Sequence, residues 1–380
     1  MEKFTVDTRY VPVEHDPFAG PTITHTVPTT EAQREVFAAS LMGDDASCAY
    51  NESVSLRLEG QLDVAAITGA VQALAARHEG LRAVCDASGL RMIVVADTTI
   101  DVAFIDLSSK AEEVADAELK RLSDADMTKP FDLMNGPLFR AYLVRLSADL
   151  HLLRLTGHHV ICDGWSLGII MADVAALYSA RVLGAAADLA EAVPFSAYAL
   201  AQIEFQRSAE HATTEKFWLD EFKGTVPRME LPTDRPRPRQ KTYKGDRVDL
   251  ELRPELVRGL KEVAVRNGSS FVTTLLTAFE TLLYKLTGDG DVVCGLPAAG
   301  QSDLGMKHLV GHCVNLLALH SRIADETPFS EHLRKRRTAV LDAFENQRYT
   351  FGTLVRKLNV PREPGRIPLV PVVFLSLIHI

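Results

Sequence analysis

The sequence predicts an α/β fold, an α+β sandwich arranged as two lobes. Stretches in which apolar residues recur at every second position, as in strands, are mixed along the chain with stretches at helical spacing. A length of 380 residues suffices for two separate cores. A connection at about 184–193 separates two such mixed regions, so we expect an N-terminal lobe over 1–190 and a C-terminal lobe over 191–380.

The first region opens with a predicted strand at 53–58, where Val54, Leu56 and Leu58 share one face. Asp63 suits a helix N-cap, and apolar residues then recur at helical spacing until Gly80, where we expect this helix to stop. Further predicted elements are strands at Arg91–Val95, Leu138–Leu146 and Asp149–Thr156 and a helix from Ser166 to about Val182. Gly184 suits the left-handed residue that often ends a helix.

The second region contains a segment, Pro232–Pro238, whose prolines rule out both a helix interior and a sheet ladder. We expect it to run extended over the surface. The elements predicted around it are helices at Thr213–Phe222, Pro254–Asn267, Ser270–Leu286, Pro328–Glu345 and Thr350–Leu358 and strands at Asp291–Gly295 and Cys313–His320. The basic run Arg334–Arg337 is expected to form a solvated helix face.

Composition and charge exclude several classes of protein. The chain carries 50 acidic and 41 basic residues, a net charge of −9, and a negative surface repels phosphate backbones, so we expect no nucleic-acid partner. No uninterrupted run of ~18 apolar residues occurs, and the first twenty residues are acidic, so neither a membrane span nor a signal peptide is expected. Five scattered cysteines without a CxxC pair indicate a reducing, cytoplasmic location and no bound metal.

The chemistry is expected in one loop between a predicted strand and a predicted helix. It reads His158-His159-Val160-Ile161-Cys162-Asp163-Gly164-Trp165-Ser166. Because neighbours on a strand point to opposite faces, one histidine should face a cavity and the other should be packed and hydrogen-bonded. Asp163 can accept a hydrogen bond from an imidazole or pair with an arginine, and Gly164 permits a tight turn. An imidazole with an unperturbed pKa near ~6.5 is suited to general-base work.

A second interpretation uses the same residues, since Gly164–Gly168 matches the G-x-S-x-G nucleophile elbow. Ser166 would then be the nucleophile of a hydrolase or thioesterase, with a later histidine as its base. The candidate bases are His308, His312, His320 and His332. No HGGG-like oxyanion loop precedes the elbow, and Ser166 is more simply the N-cap of the following helix, so this interpretation is disfavoured.

The loop resembles the HHxxxDG signature of the condensation domains of nonribosomal peptide synthetases. Other stretches resemble the remaining motifs of this family in the same order. These are Pro28–Arg34, Arg77–Arg82, Pro130–Asp132, Gly136–Arg140, Phe217–Leu219, Leu231–Pro236, Tyr243–Gly245 and Val310–Asn315. The resemblance therefore covers nearly the whole chain.

The resemblance implies two lobes like chloramphenicol acetyltransferase, arranged as a V-shaped pseudo-dimer. It also implies amide-bond formation between a donor acyl thioester and an acceptor aminoacyl thioester. Both arrive on phosphopantetheine arms of carrier proteins, beside adenylation or polyketide synthase modules, and no cofactor is bound directly. His159 would orient or deprotonate the acceptor amine, while His158, Asp163 and Gly164 would be structural. The supporting residues would be Trp165, Ser166, Gln301 and Asn315.

Two features of the sequence depart from the family pattern, and one resembles a subgroup of the family. Many members carry an arginine where this chain has Gln301, so Asp163 is expected to need another partner, for which Arg140 is the candidate. The stretches 298–301 and 311–315 resemble members that follow polyketide modules, which implies a polyketide-derived donor. The sequence after Phe374 does not continue the family pattern, so a second lobe truncated at its C-terminus is expected. A non-catalytic docking module remains an alternative, although such members lose the second histidine.

Overall fold

The computed structural model describes residues 20–224, 226–238, 241–361 and 366–376. The strands are Ile23–Pro28 (β1), Asn51–Glu59 (β2), Ala83–Cys85 (β3), Arg91–Val95 (β4), Val102–Asp106 (β5), Phe139–Ser147 (β6), Leu150–His158 (β7), Asp291–Ala299 (β8) and Val314–Arg322 (β9). The helices are Glu31–Ser40 (α1), Asp44–Cys48 (α2), Val64–Arg77 (α3), Glu112–Met127 (α4), Gly164–Leu183 (α5), Phe195–Gln206 (α6), Ala209–Glu221 (α7), Pro254–Arg266 (α8), Phe271–Thr287 (α9), Gly300–Asp303 (α10), Phe329–Glu345 (α11) and Phe351–Lys357 (α12). The predicted mixture of strands and helices is confirmed.

The strands form three sheets within these described ranges. A four-stranded sheet has the order β2-β7-β6-β5, a three-stranded sheet has the order β1-β4-β3, and β8 pairs with β9. In the four-stranded sheet β2 runs antiparallel to β7, with Asn51 opposite His158 and Glu52 opposite Gly157. The start of β2 therefore lies beside the end of β7, from which the HHxxxDG loop leaves.

Two large apolar clusters fill the interior. The first joins the helices and sheets of residues 27–199, and it also takes in Leu309, Val310 and Cys313 from the loop before β9. The second is formed by residues between Trp218 and Val370, around β8, β9, α9 and α11. The loop before β9 is thus built into the first cluster although it lies far along the chain. The boundary near residue 190 remains a prediction.

Several predicted elements agree with the structure to within a few residues. The strand Arg91–Val95 is found as predicted, and Gly184 ends α5 in the left-handed conformation. Helix α3 is capped by Asp63 as expected, but it ends at Arg77 and not at Gly80. Gly80 lies instead in a short 3₁₀ turn, where an added Cβ would approach the carbonyl oxygen of Val310 to 2.6 Å. Its small size serves close packing against the loop before β9.

Other expectations are corrected or extended. The N-cap of α5 is Asp163, whose carboxylate accepts from the backbone of Ser166, so Ser166 is not the cap. Arg336, expected on a solvated face, is buried and pairs with Glu280 at 2.9 Å. The segment 232–238 is exposed and lacks regular secondary structure, as predicted. The predictions for residues 1–19 and 377–380 lie outside the described residues.

Helix α5 is long and apolar enough to cross a membrane by length and composition, and it alone passes that test in the described part of the chain. It packs against α3 and carries Asp173, which is buried and lies 2.7 Å from both Arg77 Nε and His78 Nε2. Asp173 and Arg181 interrupt the apolar run of this helix in the sequence. A carboxylate that is buried and paired with two basic side chains belongs to the packing between α5 and α3.

Candidate active site

His158 is the last residue of β7 and points into the interior. It is fully buried between the rings of Tyr50 and Phe131. Its Nδ1 accepts from the backbone N–H of Val160 at 3.2 Å, so the proton belongs on Nε2, which lies 3.4 Å from the Ser40 hydroxyl. Burial, with the neighbouring His159, lowers the pKa of His158 to about 4. His158 is therefore a neutral packing residue, which matches the expected division between the two histidines.

His159 follows in the turn and keeps 24% of its side chain exposed. Its backbone N–H donates to the carbonyl of Tyr50 at 2.8 Å, which fixes the turn against the start of β2. Its Nδ1 lies 2.8 Å from the carbonyl oxygen of Cys162. Because a carbonyl only accepts, Nδ1 must carry a proton, and Nε2 is the nitrogen available for chemistry.

Asp163 is fully buried and joins parts of the chain that are far apart in sequence. Its Oδ1 accepts from the backbone N–H and the hydroxyl of Ser166, each at 2.8 Å. Its Oδ2 accepts from the backbone N–H of Cys313 at 3.0 Å and from Nε2 of Gln301 at 3.2 Å. The carboxylate thereby holds the start of α5 against α10 and the loop before β9.

The predicted pairing of Asp163 with Arg140 is wrong. Arg140 donates from Nε to Asp126 at 2.6 Å and covers the ring of Phe131 at 4.0 Å. Gln301 is itself the partner of Asp163 and is fully buried. Its amide binds the carboxylate at the position where many family members carry an arginine. An amide supplies hydrogen bonds there without adding a second buried charge.

Ser166 has no exposed surface and its hydroxyl is fully engaged. It donates to Asp163, and it lies 3.0 Å from both the carbonyl and the N–H of Gly311. A nucleophile must present a free oxygen to a substrate and lie within reach of a base. This hydroxyl instead links two loops, which removes the geometric basis of the hydrolase interpretation.

The other predicted site residues lie around this core. Gly164 is the first residue of α5, and Trp165 Nε1 donates to the carbonyl of Lys307 at 3.2 Å. The amide of Asn315 donates to the carbonyls of Gln347 and Tyr349 at 2.7 and 2.8 Å and so holds the segment before α12. Cys162 is buried and burial raises its thiol pKa well above the ordinary value, which agrees with its expected packing role.

Two further residues lie beside His159, of which Glu52 was not found from the sequence and His312 was considered only as the base of a hydrolase. Glu52 places Oε1 3.1 Å from Nε2 of His159, and the ring of His312 meets the ring of His159 edge-on with centroids 4.7 Å apart. Burial raises the pKa of Glu52 and lowers that of His312 well below its usual value. A signal for Glu52 did exist, because it has the same parity on β2 as Val54, Leu56 and Leu58, and an acid on an apolar face is unusual.

A cavity of about 90 Å³ adjoins this cluster. It is lined by residues from distant parts of the described chain, among them Thr30, Glu31, Tyr198, His312 and Asn315. A water molecule occupies about 30 Å³ of liquid, so the cavity has room for a few non-hydrogen atoms. It is suited to the reacting end of a longer molecule.

Comparison with known proteins places the chain in a family. The family model of the condensation domain matches residues 23–376. One of the plipastatin synthase proteins of Bacillus subtilis (strain 168) is 34% identical over 352 residues, which cover 92% of this chain and 13% of that protein. Tyrocidine synthase 2 of Brevibacillus parabrevis is 31% identical over 348 residues, 92% of this chain and 9% of that protein. The chain thus spans only a small part of these relatives.

Solved structures share the fold. The condensation domain of the monacolin K polyketide synthase MokA superposes with a TM-score of 0.80 at 22% identity, covering 93% of this chain and 82% of that one. The X-domain bound to OxyB from teicoplanin biosynthesis gives a TM-score of 0.80 at 25% identity, covering 93% and 78%. The family model over residues 23–376 and the relative that is 34% identical over 92% of this chain show that the chain belongs to the condensation domain family.

Proposed function

We propose that this chain forms an amide bond between a donor acyl thioester and an acceptor aminoacyl thioester. The acceptor nitrogen attacks the thioester carbonyl carbon, the C–N bond forms, and the C–S bond breaks. The proton lost by the amine ends on the released thiol. The observation that carries the proposal is the placement of His159, which is held through Nδ1, keeps part of its ring exposed, and stands beside a cavity wall formed by His312.

His159 is the proposed catalytic residue, acting through Nε2 on the acceptor amine as base or as positioning group. His158, Asp163 and Gly164 hold the loop, and Trp165, Ser166, Gln301 and Asn315 support it through the contacts described above. Tethering both reactants makes the step effectively unimolecular, so placement contributes much of the rate. The two-lobed V-shaped arrangement, with its boundary near residue 190, is part of this proposal.

The partners in this proposal are carrier proteins, which bring the thioesters on phosphopantetheine arms. The arms belong to the substrates, and this chain itself needs no bound cofactor for the step. The size of the cavity supports this division, because it holds the reacting ends and not whole arms. A polyketide-derived donor is proposed from the resemblance of 298–301 and 311–315 to members that follow polyketide modules.

The test is intact-protein mass spectrometry of two loaded carrier proteins incubated with the chain. One donor carrier bears a β-ketoacyl group and a second bears an aminoacyl group, so that the donor class is read in the same assay. We expect acyl mass to move to the acceptor carrier with the wild type and to be lost in His159→Ala. His25→Ala is the matched control, since His25 is exposed on β1 and has no contact with the loop among its described partners.

Three outcomes of this assay would contradict the proposal, each in a different way. Donor hydrolysis that Ser166→Ala abolishes would restore the thioesterase interpretation. Binding of carriers without transfer would make the chain a docking module. Transfer that persists unchanged in His159→Ala would remove His159 from the chemistry while leaving the reaction itself in place.

A further inference from the structure

The Nε2 atom of His159 does not stand alone, because the carboxylate of Glu52 lies 3.1 Å from it. Both side chains are about one-quarter exposed. At this distance a carboxylate attracts a protonated imidazole and repels the lone pair of a neutral one. The observed contact is an ion pair that forms when the ring is protonated, and it is not aligned as a hydrogen bond.

The second oxygen of Glu52 strengthens the case for a role beyond packing. Oε2 is buried and has no hydrogen-bond partner among the described residues. A buried carboxylate oxygen without a partner is costly, and stable folds rarely keep one on an otherwise apolar strand face. Val54, Leu56 and Leu58 continue that face, so an apolar residue at position 52 would fit the strand pattern.

We propose that Glu52 is a positioning residue that makes His159 part of a carboxylate–imidazole pair. This inference rests on the proposed function and deepens it. When the acceptor amine attacks, the neutral Nε2 accepts a proton from it, and the charge of the Glu52 carboxylate stabilises the imidazolium that forms. The proton then passes to the thiolate released from the donor arm, which returns the pair to its starting form.

The surrounding groups leave Glu52 as the anion closest to Nε2. His312 faces His159 edge-on, and burial keeps it neutral by lowering its pKa. His158 is buried and neutral for the same reason, and the Cys162 thiol is buried with a raised pKa. Asp163 carries the other nearby charge, but its oxygens are occupied by Ser166, Gln301 and Cys313.

The pair predicts the effect of removing the charge at position 52. A carboxylate next to an imidazole favours the protonated ring that forms while the proton is in transit, so replacing Glu52 by glutamine removes that stabilisation. In Glu52→Gln we expect the kcat of acyl transfer to fall about tenfold, because the charge is lost from the transition state. The KM for the acceptor carrier should change little, because Glu52 acts through His159 and not on the carrier.

The decisive measurement is the rate of acyl transfer between the loaded carrier proteins, with kcat and KM determined separately. Glu52→Asp keeps a charge near the ring and should retain part of the wild-type kcat. In the His159→Ala background, Glu52→Gln should lower the remaining rate no further, because the ring on which Glu52 acts is gone. Glu59→Gln is the matched control, because Glu59 lies on the same strand with its side chain exposed. Glutamine has nearly the same volume as glutamate, and circular dichroism of each variant checks that the fold is kept.

A tenfold fall of kcat in Glu52→Gln, absent from Glu59→Gln and from the same change made in His159→Ala, supports the pair. An unchanged kcat in Glu52→Gln overturns it, as does a fall that is equally large in the His159→Ala background. The free energy of unfolding, measured in urea, needs no carrier protein, and strictly additive losses of Glu52→Gln and His159→Ala also overturn the pair. If the wild type transferred no acyl group, the proposed function would fail, and the unfolding measurement would still decide whether Glu52 and His159 interact.

Discussion

Replacing Asp163 by asparagine tests whether this carboxylate joins the two parts of the site. The side chain is isosteric, but one oxygen becomes an NH₂ group that donates. With the amide oxygen kept toward Ser166, the NH₂ group faces two donors, the N–H of Cys313 at 3.0 Å and the amide of Gln301 at 3.2 Å. Of these, Gln301 can turn its amide and present Oε1, which has no partner among the described residues, whereas the N–H of Cys313 cannot turn. Rotating the amide of the substituted side chain only transfers the conflict to the N–H and hydroxyl of Ser166.

The size of the effect follows from these contacts. Asp163, Ser166 and Gln301 have no exposed surface, so water cannot replace the lost acceptor. Each buried donor left unsatisfied costs about 1–3 kcal/mol. The N–H of Cys313 is one such donor, so we expect a loss of about 2 kcal/mol in the free energy of unfolding, and more if the charge itself strengthened the bonds.

Equilibrium urea unfolding, followed by fluorescence and circular dichroism, measures this loss directly. Asp149→Asn is the control, because Asp149 is exposed in the turn between β6 and β7 and should change stability by no more than about 0.5 kcal/mol. In the double variant Asp163→Asn with Gln301→Ala, one of the opposed donors is gone. The combined loss should therefore be smaller than the sum of the single losses by about 1 kcal/mol. If Asp163→Asn is as stable as Asp149→Asn, or if the losses of Asp163→Asn and Gln301→Ala are strictly additive, then the Asp163 carboxylate does not join the two parts of the site.

Three further predictions concern other parts of the chain. Burial, opposed by Arg336, raises the pKa of Glu280 to about 7. As the pH rises, the unfolded chain therefore loses this proton at a lower pH than the folded chain does, and the folded state loses stability. In urea unfolding, the stability of the wild type relative to Glu280→Gln should fall by up to about 3 kcal/mol between pH 4.5 and 7. Cys48 is partly exposed and the other four cysteines are buried, so a thiol reagent should label Cys48 first in the native protein, and simultaneous labelling of all five would contradict the burial. Asp173→Asn breaks a buried pair and should cost about 3 kcal/mol by thermal or urea unfolding; a loss below about 1 kcal/mol would show that the pair contributes little.

The strongest sequence patterns located most of the secondary structure. Period-two alternation placed β2 and β4, and helical spacing with good caps placed α3 and α9, because local patterns decide such elements. Weaker patterns were missed. β5 exposes most of its residues, and α4 buries only Ala115 and Asp126, so neither has the clear apolar face that a pattern search needs.

The site was only half visible in the sequence. The loop from His158 to Ser166 could be found because its residues are contiguous, whereas the partners of Asp163 and His159 come from other segments. The pairing of β2 with β7 brings Glu52 to His159, and the loop before β9 brings His312. No local pattern encodes such distances. The start of α5 was predicted with Ser166 as its N-cap, whereas the N-cap is Asp163. The same carboxylate also binds the distant N–H of Cys313, a contact that the local sequence does not encode.

The way in which the distant segments are held bears on how the site works. Apolar contacts have little directional preference, whereas hydrogen bonds do. The buried Asp163 carboxylate accepts from four donors, which belong to Ser166, Gln301 and Cys313, and these bonds fix the positions of the three segments relative to one another. The segment that Asp163 grips at Cys313 also carries His312, the ring against which His159 rests. A shift of that segment would move the wall of the cavity and the face of the imidazole together. In the proposed reaction Asp163 would therefore act through geometry, because it fixes the distance between the ring that would take a proton and the His312 wall of the cavity.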